Sequence, residues 1–146
     1  MTTNYTSSTA ESEIRGLIED RVRAIREKDV DAVVSEYAPY LVMFNLAPPL
    51  QNKGVDKKGI ENWFSQYEGV INCEIRDLSI SAGGDLAFCH YLYRITGTMT
   101  NGNKVDMWVR ATLCFRKIEG NWLITHEHDS EPFDMQTFKA LLDLKP

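Results

Sequence analysis

The run His126-Glu127-His128-Asp129 places two imidazoles and two carboxylates on four consecutive residues. In an extended chain successive side chains alternate between faces, so His126 and His128 project one way and Glu127 and Asp129 the other. Each face carries its own chemistry. Histidines two residues apart on a strand are a usable metal-ligand pair if a carboxylate such as Asp106 on a neighbouring strand completes the set. The simpler reading, adopted here with no metal or other cofactor expected, is an outer-face polar cluster of His126 and His128 with Arg110, Thr112 and Ser130. His90, the third histidine, is expected to point outward from its own strand. Two carboxylates facing an apolar interior are an acid/base pair in waiting, because desolvation and mutual repulsion raise at least one of their pKa values.

A counter-charge for Glu127 and Asp129 is available at Arg21. Ile14, Ile18, Arg21 and Ile25 stack on one face of a 3.6-residue period, so this arginine projects from the middle of an apolar stripe. Buried charges are normally paired, which predicts an Arg21–Asp129 ion pair tying helix to sheet. Glu127, Asp129 and Arg21 are therefore the candidate catalytic or charge-binding groups. Asn45, Trp63, Tyr91 and Tyr93 are the candidate ligand-binding walls, offering aromatic faces for packing with amide and phenol groups for orientation. As core aromatics, the same residues need no ligand. No P-loop, GxGxxG or GxSxG motif accompanies them, so nucleotide, dinucleotide and serine-hydrolase chemistry have no support.

The elements that must position these groups follow from periodicity and punctuation. Ser12 is the expected N-cap of a helix running to about Asp29, preceded by a polar, frayed lead-in over residues 1–11 without the pattern of a secretory signal. A short helix capped by Asp29 is expected from Val30 to about Ala38, ended by Pro39. "YLVMFN" reads as a strand, and "DKKGIENWFSQY" as a third helix with Ile60, Trp63, Phe64 and Tyr67 on one side. Four long alternating segments follow, divided at Gly83-Gly84, Asn101-Gly102 and Glu119-Gly120, which is the pattern of an antiparallel meander. "FDMQTFKALLDL" suggests a final short helix. Residues 12–146 thus form a single α+β domain with its N-terminal helices packed against a curved antiparallel sheet.

Face assignments depend on register. Val105, Met107, Val109, Ala111, Leu113 and Phe115 should point inward, as should Ala87, Cys89, Tyr91 and Tyr93. "KIEGN" reads as a three-residue turn pairing Lys117 with Asn121. That register sends Leu123, Thr125, Glu127 and Asp129 inward and Trp122, Ile124, His126, His128 and Ser130 outward. A two-residue turn at Glu119-Gly120 would exchange the sets.

Composition bounds the function. The 146 residues are 43% hydrophobic and 25% charged, ordinary for a globular chain, and no apolar run approaches the ~20 residues a membrane helix needs. A net charge of −5 argues against nucleic acid as a partner. Cys73, Cys89 and Cys114, odd in number and without CxxC spacing, suggest buried thiols in a reducing cytoplasm.

The order of elements, with "VRATLCFRKIEGNWLITHEHDSEPF", resembles the nuclear transport factor 2-like superfamily, most closely its SnoaL-like or ketosteroid isomerase-like branch. The resemblance implies a cystatin-like, cone-shaped half-barrel with a deep pocket, usually dimerising through the outer sheet face. It also implies, for the isomerases, a tyrosine on the first helix and two aspartates, at positions that here carry Arg21, Asn45 and approximately Ala111. An amide cannot abstract a carbon-bound proton and alanine cannot hold an enolate, so steroid isomerisation is not expected. The H-x-H-x-S ending also resembles the association domain of calmodulin-dependent kinases. Where those domains line their pocket with arginines, this chain offers Tyr93, Leu113 and Asp129. The expectation is a homodimeric protein with a hydrophobic pocket for a small, partly polar molecule. Cofactor-independent acid/base catalysis on a hydrophobic carbonyl or polyketide-like substrate, and an oligomeric assembly module, are the alternatives.

Overall fold

The computed structural model describes residues 3–146, with side chains from Thr9 onward. Its elements run α1 (Thr3–Glu27), α2 (Val30–Ser35), β1 (Tyr37–Phe44), β2 (Asn52–Lys53), α3 (Lys57–Ser65), β3 (Tyr67–Gly83), β4 (Leu86–Met99), β5 (Lys104–Ile118) and β6 (Asn121–Ser130). The six strands form one curved, unclosed sheet in the order β2-β1-β6-β5-β4-β3, and the helices fill its concave side as an α+β cone. The expected meander is β3 to β6. One strand departs from the antiparallel pattern, since β1 runs parallel to β6.

Helix α1 buries Ile14, Ile18, Arg21 and Ile25 in the core, as the stripe predicts. The helix starts earlier than expected, so Ser12 lies inside it and is not its N-cap. Ala10 packs against the core and carries the stripe one turn further back. The start of the expected lead-in, Met1 and Thr2, lies outside the described residues. At the other end Lys28 adopts φ 55°, and Asp29 N donates to Ala24 O at 2.9 Å while Lys28 N donates to Ile25 O at 3.1 Å. This closes the helix by the usual left-handed cap. Asp29 then accepts from Ala32 N at 3.1 Å and caps α2, as expected.

Helix α2 is shorter than its apolar pattern suggested. It stops at Ser35, and Pro39 is a residue of β1 rather than the helix terminator. Proline is tolerated there because the β1–β6 register is interrupted between Tyr37 and Val42, so its missing N–H costs no ladder bond. Asp56 caps α3 by accepting from Gly59 N at 2.9 Å. A Cβ at Gly59 would lie 2.3 Å from Asp56 Oδ2, so a larger residue there would make the capping carboxylate shift.

Strand β3 carries register shifts between Glu68 and Asn72 and between Arg76 and Ser79, with Asp77 at φ 58°. Such bulges bend a sheet and tighten its twist, which lets β3 curve around α1. The C-terminal segment is not helical. Asp134 Oδ1 accepts from Gln136 N and Thr137 N, Phe138 turns left-handed at φ 59°, and Phe133 bridges Ala140. Asp134 thus caps a single turn, closed by Phe138 N donating to Asp134 O at 2.8 Å, and the left-handed Phe138 ends it as the chain folds back to pair Asp134 N with Lys139 O.

The last hairpin corrects the register while preserving part of its consequence. Ile118 pairs with Asn121, so the turn is the two-residue Glu119-Gly120, both with positive φ. Glycine suits the second position, and the pair of positive φ angles makes a tight turn of the hairpin type. A second shift follows, because Phe115 pairs with Ile124 and Cys114 with His126, leaving Thr125 as an extra bulged residue. Trp122 and Ile124 are consequently interior, contrary to the three-residue register, and Leu123 lies on the outer side opposite Arg116. Beyond the bulge the phase reverts, and Glu127 and Asp129 face inward as expected.

Candidate functional site

Under the helices the sheet leaves a cavity of about 480 Å³. Its apolar wall includes Val22, Ile25, Leu41, Met43, Trp63, Ile75 and Met107, its inner polar part is built from Arg21, Tyr37, Tyr91, Tyr93, Glu127 and Asp129, and Asn52, Asp56, Asn62 and Gln66 also line it. Asn45 stands on its exposed border with Leu46 and Pro48, where Asn45 Oδ1 accepts from Leu46 N at 2.8 Å. All three acid/base candidates and all four wall candidates from the sequence therefore border one space. A more open groove of about 600 Å³ lies between α1, α2 and the β5–β6 turn. It includes Glu36 and Trp122 but neither of the paired carboxylates.

Strand geometry explains the convergence. Met43 is aligned with Glu127, Leu113 with Glu127 and Ala111 with Asp129, so β1, β5 and β6 present one continuous inner face. Arg21, Glu127 and Asp129 are only 8%, 5% and 8% exposed. Arg21 Nη2 donates to Tyr37 Oη at 2.8 Å and to Glu127 Oε1, and Tyr37 Oη donates to Glu127 Oε1 at 2.9 Å. On its other side Arg21 Nη1 lies 3.8 Å from Glu36 Oε2, and neither of these two buried atoms has a hydrogen-bond partner.

The expected Arg21–Asp129 pair is thus replaced by an Arg21–Glu127 pair. The reason is β1: Tyr37 stands beside Glu127 and holds it against the guanidinium, whereas Asp129 lies two residues further along β6. Tyr37 and Glu36 were missed as site residues because the apolar pattern of α2 was continued through them. The available signal was the pairing of a glutamate and a tyrosine directly before Ala38-Pro39, where a helix must give way to extended chain.

The titration of the cluster follows from burial and neighbours. Burial opposes the charge on Arg21, but Glu127, Tyr37, Tyr91 and Glu36 outweigh it and hold the guanidinium protonated. Burial also works to raise Glu127, yet Arg21 and hydrogen bonds from Asp129 and Tyr37 carry it below the usual carboxylate value. Asp129 moves the opposite way, raised well above its ordinary value first by burial and then by the charge and hydrogen bond of Glu127. The pair shares one proton, resident mainly on Asp129. Burial lifts Glu36 to about 7 against the pull of Arg21. The phenols of Tyr91 and Tyr93 are raised by burial and by the neighbouring carboxylates, so both stay neutral.

The outer face carries the remaining candidates. Arg110 Nε donates to Ser130 Oγ at 3.0 Å, and Thr112 is aligned with His128. His126 lies within hydrogen-bond distance of β1, its Nδ1 being 2.6 Å from Val42 O, so it bonds to a strand carbonyl rather than to Arg110 or Thr112. Phe44 meets both imidazoles edge-on, with ring centroids 4.8 Å from His126 and 5.3 Å from His128. Asp106 is held by Arg94 at 2.8 and 3.0 Å. Among the described residues no group of three His, Cys, Asp or Glu side chains is arranged to hold a metal. His90 is exposed, while Cys73 and Cys89 are buried, their thiols pushed by burial to about 11 and about 12.

A helix-filled, unclosed six-stranded sheet with one buried polar cluster defines a cystatin-like α+β cone. The chain belongs to the SnoaL-like domain family, which it matches over residues 14–134. It is similar to an NTF2-like protein of unknown function from Pseudomonas putida KT2440, with 39% identity over 96% of this chain and 99% of that one, at a TM-score of 0.87. The fold is shared with the association domain of CaMKII from C. elegans, at 16% identity over 87% and 99% of the two chains and a TM-score of 0.69. It is shared equally with a protein of cystatin-like fold from Caulobacter vibrioides, at 15% identity over 82% and 87% and a TM-score of 0.70. No functionally curated protein is detectably similar to the chain. Among the described residues, no helix is long and apolar enough to cross a membrane.

Proposed function

We propose that the chain binds a small, largely apolar molecule bearing one polar group, held in the cavity beneath α1. The observation that carries this reading is a space of about 480 Å³ whose walls are mainly aliphatic and aromatic and whose lining includes the buried carboxyl groups of Asp129 and Glu127. Pockets that take drug-sized ligands have this size and this distribution of polarity. Trp63, Tyr91 and Tyr93 supply packing faces, and Asn45 guards the border. The test is a thermal-shift panel of apolar amines, alcohols, ketones and acids against the full chain and Asn45→Trp. A ligand at a hundred times its Kd stabilises the native state by about 2.7 kcal/mol. Hits should vanish in Asn45→Trp, whose indole obstructs the opening from an exposed position. Hits that survive it, or a panel without hits, refute the reading.

A second reading, acid/base catalysis without a cofactor, is favoured by one specific alignment. Asp129 is paired across the strands with Ala111, the position at which the resemblance to isomerases implies a proton-holding aspartate. Cross-strand partners have Cβ atoms about 4.5–5.5 Å apart, so Asp129 brings a carboxyl group close to that place from the adjacent strand. A neutral Asp129 can donate to a carbonyl oxygen and stabilise developing negative charge. Asn45, on the border, offers no base.

The outer sheet face is the proposed homodimer contact. Phe44, Phe88, Trp108 and Arg110 give it the aromatic and arginine content that protein interfaces favour. Cys73 and Cys89 are free and buried, and Cys114, expected to be buried as well, is free and partly exposed on the outer side; three free thiols are compatible with the cytoplasmic location expected from the cysteine pattern.

A further inference from the structure

From the balance of charge around the cavity we infer that its ligand is a lipophilic amine, bound as the ammonium ion between Asp129 and the rings of Tyr91, Tyr93 and Trp63. This rests on the binding reading above and names the chemistry of its occupant.

Three carboxyl groups, Glu36, Glu127 and Asp129, surround a single cation, Arg21. The guanidinium is largely engaged: Nη2 donates to Tyr37 and Glu127, while Nη1 makes no hydrogen bond and lies 3.8 Å from Glu36 Oε2. An anionic ligand would have to share this one cation with the carboxylates and would face Asp129 and Glu127. A cationic ligand finds the reverse. The buried Arg21–Glu127–Asp129 set reaches neutrality in one of two ways, by a proton on Asp129 or by a positive charge beside it. The empty cavity uses the first, and an ammonium supplies the second. Desolvating an ammonium is unfavourable unless a well-placed carboxylate receives it, and Asp129 becomes one on losing its proton. A neutral carbonyl would take one hydrogen bond from the protonated Asp129 and form no ion pair with it.

The walls fit the same ligand. Tyr91 and Tyr93 stand with ring centroids 6.1 Å apart, and Trp63 lines the same space. Aromatic faces attract ammonium groups, most strongly where water is excluded. The chain's net charge of −5 draws cations toward it.

Binding is then coupled to proton release: the neutral Asp129 acid and the free ammonium become a carboxylate–ammonium pair, and one proton passes to the buffer. The groups acting on Asp129 are Arg21 from α1, Tyr91 and Tyr93 from β4 and Glu127 from β6, while Glu36 after α2 and Tyr37 from β1 reach it only through Arg21 and Glu127. Strand β5 contributes the apolar Ala111 and Leu113. Glu36, at about 7, is the one other group among these that changes charge near neutrality.

The experiment is calorimetric titration of the full chain with 3-phenylpropylamine, 3-phenylpropanoate and 4-phenylbutan-2-one, at pH 6 and 7 in two buffers of different ionisation enthalpy. The amine should bind at least tenfold more tightly than the acid and the ketone, release close to one proton, and gain roughly tenfold in affinity per pH unit while Asp129 remains protonated in the empty protein. Asp129→Asn should abolish the preference for the amine. If that variant does not fold, proton release by the native chain decides alone. A ketone that binds as tightly as the amine, or an amine bound without proton release, overturns the inference but leaves the pocket reading intact. Silence from all three probes together with the wider thermal-shift panel takes down the pocket reading itself.

Discussion

Replacing Arg21 by methionine tests the central physical feature of the site. Arg21 and Glu127 have side chains only 9% and 6% exposed, so their pairing is scarcely screened by solvent. Deleting one member of a buried pair leaves an uncompensated charge and costs about 3–5 kcal/mol. In a chain of this length one kcal/mol moves the melting temperature by about 2–4 °C, so Arg21→Met should melt roughly 10 °C lower at pH 7. The penalty should depend on pH with a definite sign. Glu127 is depressed in the folded protein, so its contribution is present above its unfolded value of about 4.3 and is lost as pH falls. Without Arg21 the folded-state pKa values of Glu127, Glu36 and Asp129 all rise, and each unit of rise makes folding less favourable above the unfolded value. The defect should therefore shrink steadily from pH 7 toward pH 4. The double variant Arg21→Met/Glu127→Gln should recover at least half of the loss, because it removes both charges together. Chemical denaturation at fixed protein concentration measures the native chain, Arg21→Met, Glu127→Gln and the double variant. A single-variant cost below about 1 kcal/mol, or a double variant whose cost equals the sum of the two singles, would refute the assignment of this pair.

The other side of the cluster has the opposite sign. Asp129 is raised in the folded state, so its contribution is complete below about pH 3.9 and is lost as pH rises toward its folded pKa. Asp129→Asn, permanently neutral, should gain stability relative to the native chain between pH 5 and pH 8; parallel unfolding curves across that range would show that Asp129 is not held protonated. On the outer face, Phe88 is 48% exposed in the single chain. Phe88→Glu should lower the sedimentation mass from twice the chain mass to the monomer while leaving cavity binding unchanged, and an unaltered mass would remove this face as the dimer contact.

The fold was legible because its cues are local. Apolar spacing at Ile14, Ile18 and Ile25, the cap at Asp29, and glycine-bearing turns before β4 and β5 each act within a few residues and do in the structure what they implied, while the turn before β6 forms where expected but one residue shorter. Errors arose where a distant partner decided the outcome. Nothing near Pro39 indicates that its strand will run beside β6 with an interruption that spares the missing N–H. After Phe133 the cap at Asp134 does form, but the chain folds back to pair Phe133 with Ala140 and ends the helix after one turn.

Glu127 and Asp129 show how a face can be assigned correctly through an incorrect register. The tight turn at Glu119-Gly120 moves β6 by one residue, and the bulge at Thr125 moves it by one more. Two single steps in a period of two cancel, so residues after the bulge keep their faces while Trp122, Leu123 and Ile124 exchange theirs. The alternation "WLITHEHDS" contains the reason, since Trp122 and Ile124 require the interior as strongly as His126 and His128 tolerate the exterior. A strand with large apolar residues at 122 and 124 and carboxylates at 127 and 129 can bury both sets only by inserting one residue between them. Burial of the apolar set is favourable by about 1.5–3 kcal/mol for each side chain. Burial of the carboxylates is unfavourable unless Arg21 and Tyr37 receive them, so the bulge places Glu127 where its inward position is sustained by a partner contributed from the opposite layer.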